Sequence, residues 1–304
     1  MTSIKQAVCM EEMRGYVHDF LEEYDYDRFS SDHLLSTFDQ IMTAPETRKF
    51  MEQALLTYSD DYQCDFDSIF RNAGQIAQIL ALHEFTVELL VFICLSRRLK
   101  ELYLEKDLPL AYYRNSMADL KYKLKECKLV YGIVGSFVAK WFVGFFKLTR
   151  FGIGRLQFEV IPFADNYSKN GIVLTPDTKV INIHIPRSKE PLTEEACMEA
   201  YRAAKAFFSG EVPTVPCPFV CDSYLLYPEN ERFLPKHTNT YRFFQSFEIL
   251  SVQPDNERNN LWRLFDTMEK NIDRLPADTT MRRAFISHLK NGGKMGSGRG
   301  IFFI

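Results

Sequence analysis

The sequence is poor in glycine, with 14 in 304 residues against 26 Phe and 15 Tyr. Few glycines among many rings exclude a loop-rich or low-complexity scaffold and favour helices and well-packed strands. An excess of charge of one sign is also missing. Lys plus Arg number 37 and Asp plus Glu 40, for a net charge of -3. A general nucleic-acid binder is therefore not expected, because phosphate neutralisation needs clustered positive charge. The seven cysteines form no CxxC pair and are odd in number, which argues against a disulfide framework or a zinc ribbon and fits a reducing cytoplasm. No spacing suggests a metal site. The opening MTSIKQAVCMEEMRGYV lacks the apolar core of a signal peptide, so it is expected to stay on a cytoplasmic protein. Long hydrophobic runs are lacking too. FTVELLVFICL carries Glu88 and GIVGSFVAKWFVGFFKL carries Lys140; both fall short of about 18 uninterrupted apolar residues and read as buried core elements, not membrane spans.

What is present changes period along the chain. Ile69, Ala73, Ile76, Leu80, His83, Val87, Leu90 and Cys94 recur at spacings of three and four, the stripe of one long helix with His83 on its core face. Asp107 with Pro109 opens a further helix through Tyr113, Met117, Leu120, Leu124 and Cys127. Helix-like segments precede these, so a helical bundle is expected to about residue 130. Beyond it, RLQFEVIPF, KVINIHIP and PFVCDSYLLY are rich in β-branched and aromatic residues and bounded by turn formers, the pattern of strands. A helix capped by Thr193 lies between the last two. SFEILSVQP reads as a strand, DTTMRRAFISHLKNGG as a helix ending at Gly292, and GIFFI as a last strand. Trp141, Phe142, Phe145 and Phe146 are expected to bury the junction of the two halves.

Strand alternation groups the polar residues. Arg155, Gln157 and Glu159 share one face of their strand, and Asn182 and His184 share one face of theirs, opposite Ile181, Ile183 and Ile185. Cys221 and Ser223 point one way, Asp222 and Tyr224 the other. If the polar faces align, Glu159, His184, Cys221 and Ser223 converge: a carboxylate, a group titrating near neutrality and a thiol. The same alternation is what any half-exposed sheet shows. His288 is expected to face solvent or an anion, and His237, before Thr238 and Asn239, to serve a cap or a ligand. Two loops suit an anion: PRSKEPLT, with Arg187, Ser188 and Lys189 before a helix start, and GGKMGSGRG near the end. Neither matches a phosphate or dinucleotide fingerprint.

The string WFVGFFKLTRFGIGRLQFE at residues 141–159 is followed by HIP at 184–186, Pro191 and Leu192, Phe207 and Phe208. CDSYLLYP at 221–228, TNTYRFF at 238–244 and a terminal glycine-rich segment complete the set. In that order these resemble a bacterial two-domain acyltransferase family. The resemblance covers the whole chain and is densest from residue 131 onward. It implies an α+β protein: an N-terminal helical bundle, residues 1–135, packed on a C-terminal mixed sheet flanked by helices, residues 136–304, like the GCN5-related N-acetyltransferase (GNAT) fold.

The implied enzyme moves an acyl group from acyl-CoA, or from an acyl carrier protein thioester, to an amine or hydroxyl on a small-molecule acceptor, without a metal. KVINIHIP maps onto the donor-binding strand, residues 187–193 with Arg187, Ser188 and Lys189 onto the pyrophosphate loop, and PFVCDSYLLY onto the splayed partner strand. The loop RSKEPL lacks the glycines of the family's RxxGxG. Gln157, Asn182, Ser223 and Asn239 become candidate substrate contacts. The expected mechanism is direct attack with Glu159 or His184 as base; a ping-pong variant uses Cys221 as nucleophile. The rival is a catalytically inactive GNAT-like protein that binds or senses a small molecule. Arg97, Arg98, Lys100, Lys121, Lys123 and Lys125 would suit an acidic carrier protein.

Overall fold

The computed structural model describes residues 10–188 and 190–304. The chain divides after Thr149 into two compact units. Sequence alone set the boundary near residue 135.

The first unit is helical: α1 Met10–Glu23, α2 Arg28–Thr43, α3 Pro45–Asp60, α4 Phe66–Leu80, α5 Glu84–Glu105, α6 Leu110–Tyr131 and the short α7 Val143–Phe146. Helix α5 contacts α1, α2, α3, α4 and α6. Every residue from Leu89 to Ser96 is buried, which explains a run too apolar for a surface helix and too short for a membrane span. Among the described residues no helix is long and apolar enough to cross a membrane. The stripe from Ile69 to Cys94 proves to be two helices. Ala81 takes a left-handed conformation (φ 51°) that ends α4, and His83 caps α5 by accepting Phe85 N–H at 3.2 Å, exposed instead of in the core. Spacing hides this break because both helices bury a face in the same phase. Asp107 lies in the turn after α5 (φ 53°), and α6 starts at Leu110 with Pro109 at its cap. The rings of Phe142 and Phe146 pack edge-on against Phe92 of α5, and Trp141 donates its indole N–H to buried Asp119. Of the six basic residues singled out above, Arg97 pairs with Glu12, Arg98 with Glu105, Lys121 with Asp25 and Lys123 with Glu126, while Lys100 lies over the ring of Tyr113.

The second unit runs β1 Arg150–Ile153, β2 Leu156–Pro162, β3 Tyr167–Lys169, β4 Ile172–Leu174, β5 Lys179–His184, α8 Glu194–Phe207, β6 Pro218–Ser223, α9 Asn239–Gln245, β7 Glu248–Pro254, α10 Trp262–Phe265, α11 Thr280–Lys290 and β8 Gly296–Phe303. Six strands form one sheet in the order β1-β2-β5-β6-β8-β7, and β3 and β4 form a separate hairpin. Only β5 and β6 are parallel, joined through α8; the other neighbours are antiparallel. The strands expected from sequence are present, except that the one expected over 218–227 ends at Ser223 and gives way to a 3-10 turn at Tyr224–Leu226; β1 and the β3–β4 hairpin are added.

Period-two alternation divides the sheet into two faces. On one, Phe158, Phe219 and Phe302 meet Tyr201 of α8. On the other, Phe163, Tyr167, Leu174, Val180, Val220 and Ile301 form an apolar cluster that includes the β3–β4 hairpin. The polar residues of β2 and β5 lie on this second face, beyond the apolar cluster. The glycine-rich stretch near the end is strand β8, not an anion loop. A Cβ on Gly298 would stand 2.0 Å from the Leu226 carbonyl oxygen, and one on Gly300 2.8 Å from Phe247 Cβ, so these glycines admit neighbouring chain to the sheet.

Candidate active site

A two-residue turn, Gly154 and Arg155, joins Ile153 to Leu156. Gly154 has φ 58°, where L side chains are strained, and its Cα faces Ala200 of α8 so closely that a Cβ would lie 3.3 Å from the alanine methyl. This tight hairpin sets Arg150 opposite Glu159. On the other side of β2, Glu159 faces Asn182 and Gln157 faces His184. All five side chains belong to one face of the sheet. Arg155 itself leaves that face, since it sits in the turn and β2 starts at Leu156.

Glu159 is the hub. Its Oε1 accepts Nε2 of His184 at 2.6 Å and Nδ2 of Asn182 at 3.1 Å, and its Oε2 accepts Nη2 of Arg150 at 2.9 Å. Asn182 Nδ2 also stands 3.2 Å from His184 Nε2. A ring nitrogen that donates to a carboxylate cannot at once accept from an amide, so the shorter contact decides and Nε2 carries the proton. Burial pushes Glu159 up, but the bond and charge of His184, the charge of Arg150 and the Asn182 amide outweigh it and hold the carboxyl at about 2. Glu159 is thus ionised at neutral pH and too weak a base for an amine. Gln157 is 2% exposed, and its Nε2 is buried without a hydrogen-bond partner among the described residues.

The cluster stands where two strands part. Strands β5 and β6 pair through Ile181–Phe219, Asn182–Val220 and Ile183–Cys221 and then stop. Beyond that point His184 stays paired with Gln157 of β2, while Asp222 and Ser223 stay paired with β8. Each strand keeps its outer neighbour past the last β5–β6 pair, and His184 is the last residue of β5 there.

The expected convergence of Cys221 and Ser223 with His184 does not occur. In a parallel pair, residues in register share a face; Cys221 is in register with Ile183, which places it with the isoleucines. It is 1% exposed, and burial, with Asp222 adding, pushes its thiol well above the ordinary cysteine range. Ser223, on that same face, caps the following turn by accepting Leu225 N–H at 3.2 Å. Asn239 opens α9, and among the described residues no hydrogen bond joins it to the cluster. Arg187 is committed to Asp266 through both guanidinium nitrogens, one at 2.6 Å. Asp266 in turn takes Arg282, so the charge expected at an anion is spent on a protein carboxylate. The hydroxyl of Ser188 is buried without a hydrogen-bond partner among the described residues, and Lys189 lies outside the described residues. His288 does not face solvent: it stacks on Phe233 at 4.3 Å and meets Glu229 at 3.0 Å. Among the described residues no group of three or more His, Cys, Asp or Glu is arranged to hold a metal ion.

Sequence reasoning missed Arg150 and Asp266. The turn former Gly154 was a local signal for the first, since a hairpin about it carries Arg150 onto Glu159; the Asp266 contact spans 79 positions and leaves no local trace.

Comparison with known proteins agrees with this architecture. Residues 150–302 match the family described as GNAT-like C-terminal domain, and residues 16–148 match the N-acyltransferase N-terminal domain. No curated protein sequence matches. Among solved structures, an acyltransferase in complex with decanoyl-CoA is similar with a TM-score of 0.71 at 18% identity, covering 93% of this chain and 86% of that one. An acyltransferase with decanoyl-CoA and teicoplanin gives 0.71 at 18% identity over 94% and 86%. A mutant acyltransferase with octanoyl-CoA gives 0.72 at 18% identity over 97% and 88%. At such identity the likeness is one of fold.

Proposed function

The chain belongs to the two-domain acyltransferase family that joins an N-acyltransferase N-terminal domain to a GNAT-like C-terminal domain, and from that premise we propose that it transfers an acyl group from an acyl-CoA directly to an amine or hydroxyl of a small-molecule acceptor, with His184 as base. The observation that carries this reading is the position of His184: held by Glu159, at the point where β5 and β6 stop pairing. A wedge between parallel strands receives the extended pantetheine arm as a further strand would be received, through main-chain hydrogen bonds. The thioester carbonyl then lies beside the imidazole.

The chemistry balances within the site. His184 takes the proton of the acceptor, whose nitrogen or oxygen attacks the thioester carbon. Backbone N–H groups in the wedge stabilise the oxyanion. As the intermediate collapses the C–S bond breaks and the proton passes to the departing thiolate, leaving acylated acceptor and free CoA. Glu159 fixes the tautomer and offsets the charge of the imidazolium. Buried Cys221, on the other face, has no part in transfer. Medium-chain acyl-CoA is the donor to try first, because the similar structures hold decanoyl- and octanoyl-CoA.

The test is thiol release from decanoyl-CoA against a panel of amine and alcohol acceptors, with intact-mass detection of the acylated product. His184→Ala is expected to lower turnover by about 100-fold or more. Full turnover by that variant would remove His184 from the mechanism.

A further inference from the structure

The connection from β5 to α8 does without glycine: residues 186–193 read PRSKEPLT. A loop that brings its backbone against a pyrophosphate ordinarily relies on glycine, which reaches the needed conformations and puts no side chain in the way. Another device must hold this one in shape. Arg155, from the β1–β2 turn, donates Nε to the Glu190 carbonyl at 2.8 Å and Nη1 to the Pro186 carbonyl at 3.1 Å. The residue is 8% exposed. One buried, planar guanidinium therefore grips both ends of residues 186–190. Its own origin is firm, because Gly154 seats the turn against Ala200 of α8. The same segment carries the hydroxyl of Ser188, buried without a hydrogen-bond partner among the described residues.

We propose that Arg155 is a positioning residue for the acyl donor: its hold on the Pro186 and Glu190 carbonyls keeps a glycine-free loop in the form that meets the pyrophosphate of CoA. The role rests on the acyl-CoA reading above. It assigns loop geometry to a side chain that grips loop carbonyls, and it separates the two ends of the donor. The phosphate end depends on Arg155; the pantetheine and acyl end, lodged between β5 and β6, does not.

The experiment is isothermal titration of the full-length protein with decanoyl-CoA and with decanoyl-pantetheine, which lacks the pyrophosphate and nucleotide. Arg155→Met is expected to raise the Kd for decanoyl-CoA by about 10-fold or more while the Kd for decanoyl-pantetheine stays within about twofold, and Arg155→Lys to recover part of the loss. Equal weakening of both thioesters, or of neither, would overturn the proposal. Amide hydrogen exchange of the ligand-free proteins provides a readout independent of binding. Residues 186–193 should exchange faster in Arg155→Met with β5 and α8 unchanged; an unchanged loop would also overturn the role. Wild-type protein that binds neither thioester removes the donor reading and this role with it, and the loop exchange shows separately whether Arg155 grips the loop.

Discussion

Oε1 of Glu159 lies 2.6 Å from Nε2 of His184 across the β2–β5 pair, while its other oxygen is held by Arg150 at 2.9 Å. One carboxylate thus serves a cation and an imidazole at once, and both, with the Asn182 amide, keep it ionised. A carboxyl at about 2 does not accept protons from an amine at neutral pH. Its effect on the reaction runs through the ring it holds.

Glu159→Gln keeps the shape of the side chain and removes its charge. Turnover is expected to fall about 10- to 100-fold while the KM for decanoyl-CoA stays within about threefold, because the lost interaction is strongest when the imidazole is charged. Steady-state thiol release gives both parameters. A variant with wild-type kcat would show that His184 needs no carboxylate.

The same pair makes stability depend on acid. Glu159 has its folded value depressed from 4.5 to about 2, so the unfolded chain takes up a proton first. Its contribution is fully present above pH 4.5 and is lost as the pH falls through about 2, on the order of 3 kcal/mol in all. Urea unfolding of wild type and Glu159→Gln at steps from pH 7 to pH 3 should show the gap between them constant down to about pH 5 and narrowing below. A gap that widens with acid would contradict the depressed value.

Cys221 tests the choice of direct transfer. It stands in register with Ile183 on the face that meets α8, buried, with its thiol pushed up. Cys221→Ala is expected to keep turnover within about twofold and to lose about 1–2 kcal/mol of stability through the small void left behind. Native protein should resist alkylation at this position by iodoacetamide, as read by peptide mass. An acyl adduct on Cys221 after incubation with decanoyl-CoA would reverse the assignment.

Within a strand, faces follow from local spacing, so the placement of Asn182 and His184 opposite their isoleucines is legible from the sequence alone. Between strands it is not. Whether Cys221 shares the face of His184 or of Ile183 depends on the register of a parallel pair linked through α8, and a shift of one residue exchanges the two. The arginine of the cluster is hidden for a related reason: RFGI is a short, glycine-containing strand, and only the hairpin at Gly154 carries Arg150 to Glu159 nine positions away. The glycine-rich stretch before the terminus is ambiguous because glycine marks both phosphate loops and close packing. Leu226 pressing on Gly298 is tertiary information.

Arg187 poses the sharpest alternative at the donor loop, since its charge can serve phosphate or protein. Both of its terminal nitrogens reach Asp266, which also holds the buried Arg282. If Arg187 braces the loop, Asp266→Asn weakens decanoyl-CoA binding, Arg187→Ala does the same, and the double variant is no weaker than Asp266→Asn alone, because the Arg187–Asp266 contact is already lost in that variant. If instead Arg187 is a phosphate ligand restrained by Asp266, then Asp266→Asn releases it and tightens binding, and Arg187→Ala cancels that gain. Asparagine suits the test: it tolerates the left-handed conformation of Asp266 (φ 59°), keeps the side chain's size, and removes the charge together with one accepting oxygen. The geometry favours the brace, with losses of about 3- to 10-fold in Kd by titration calorimetry. Tighter binding by Asp266→Asn would return Arg187 to the phosphate.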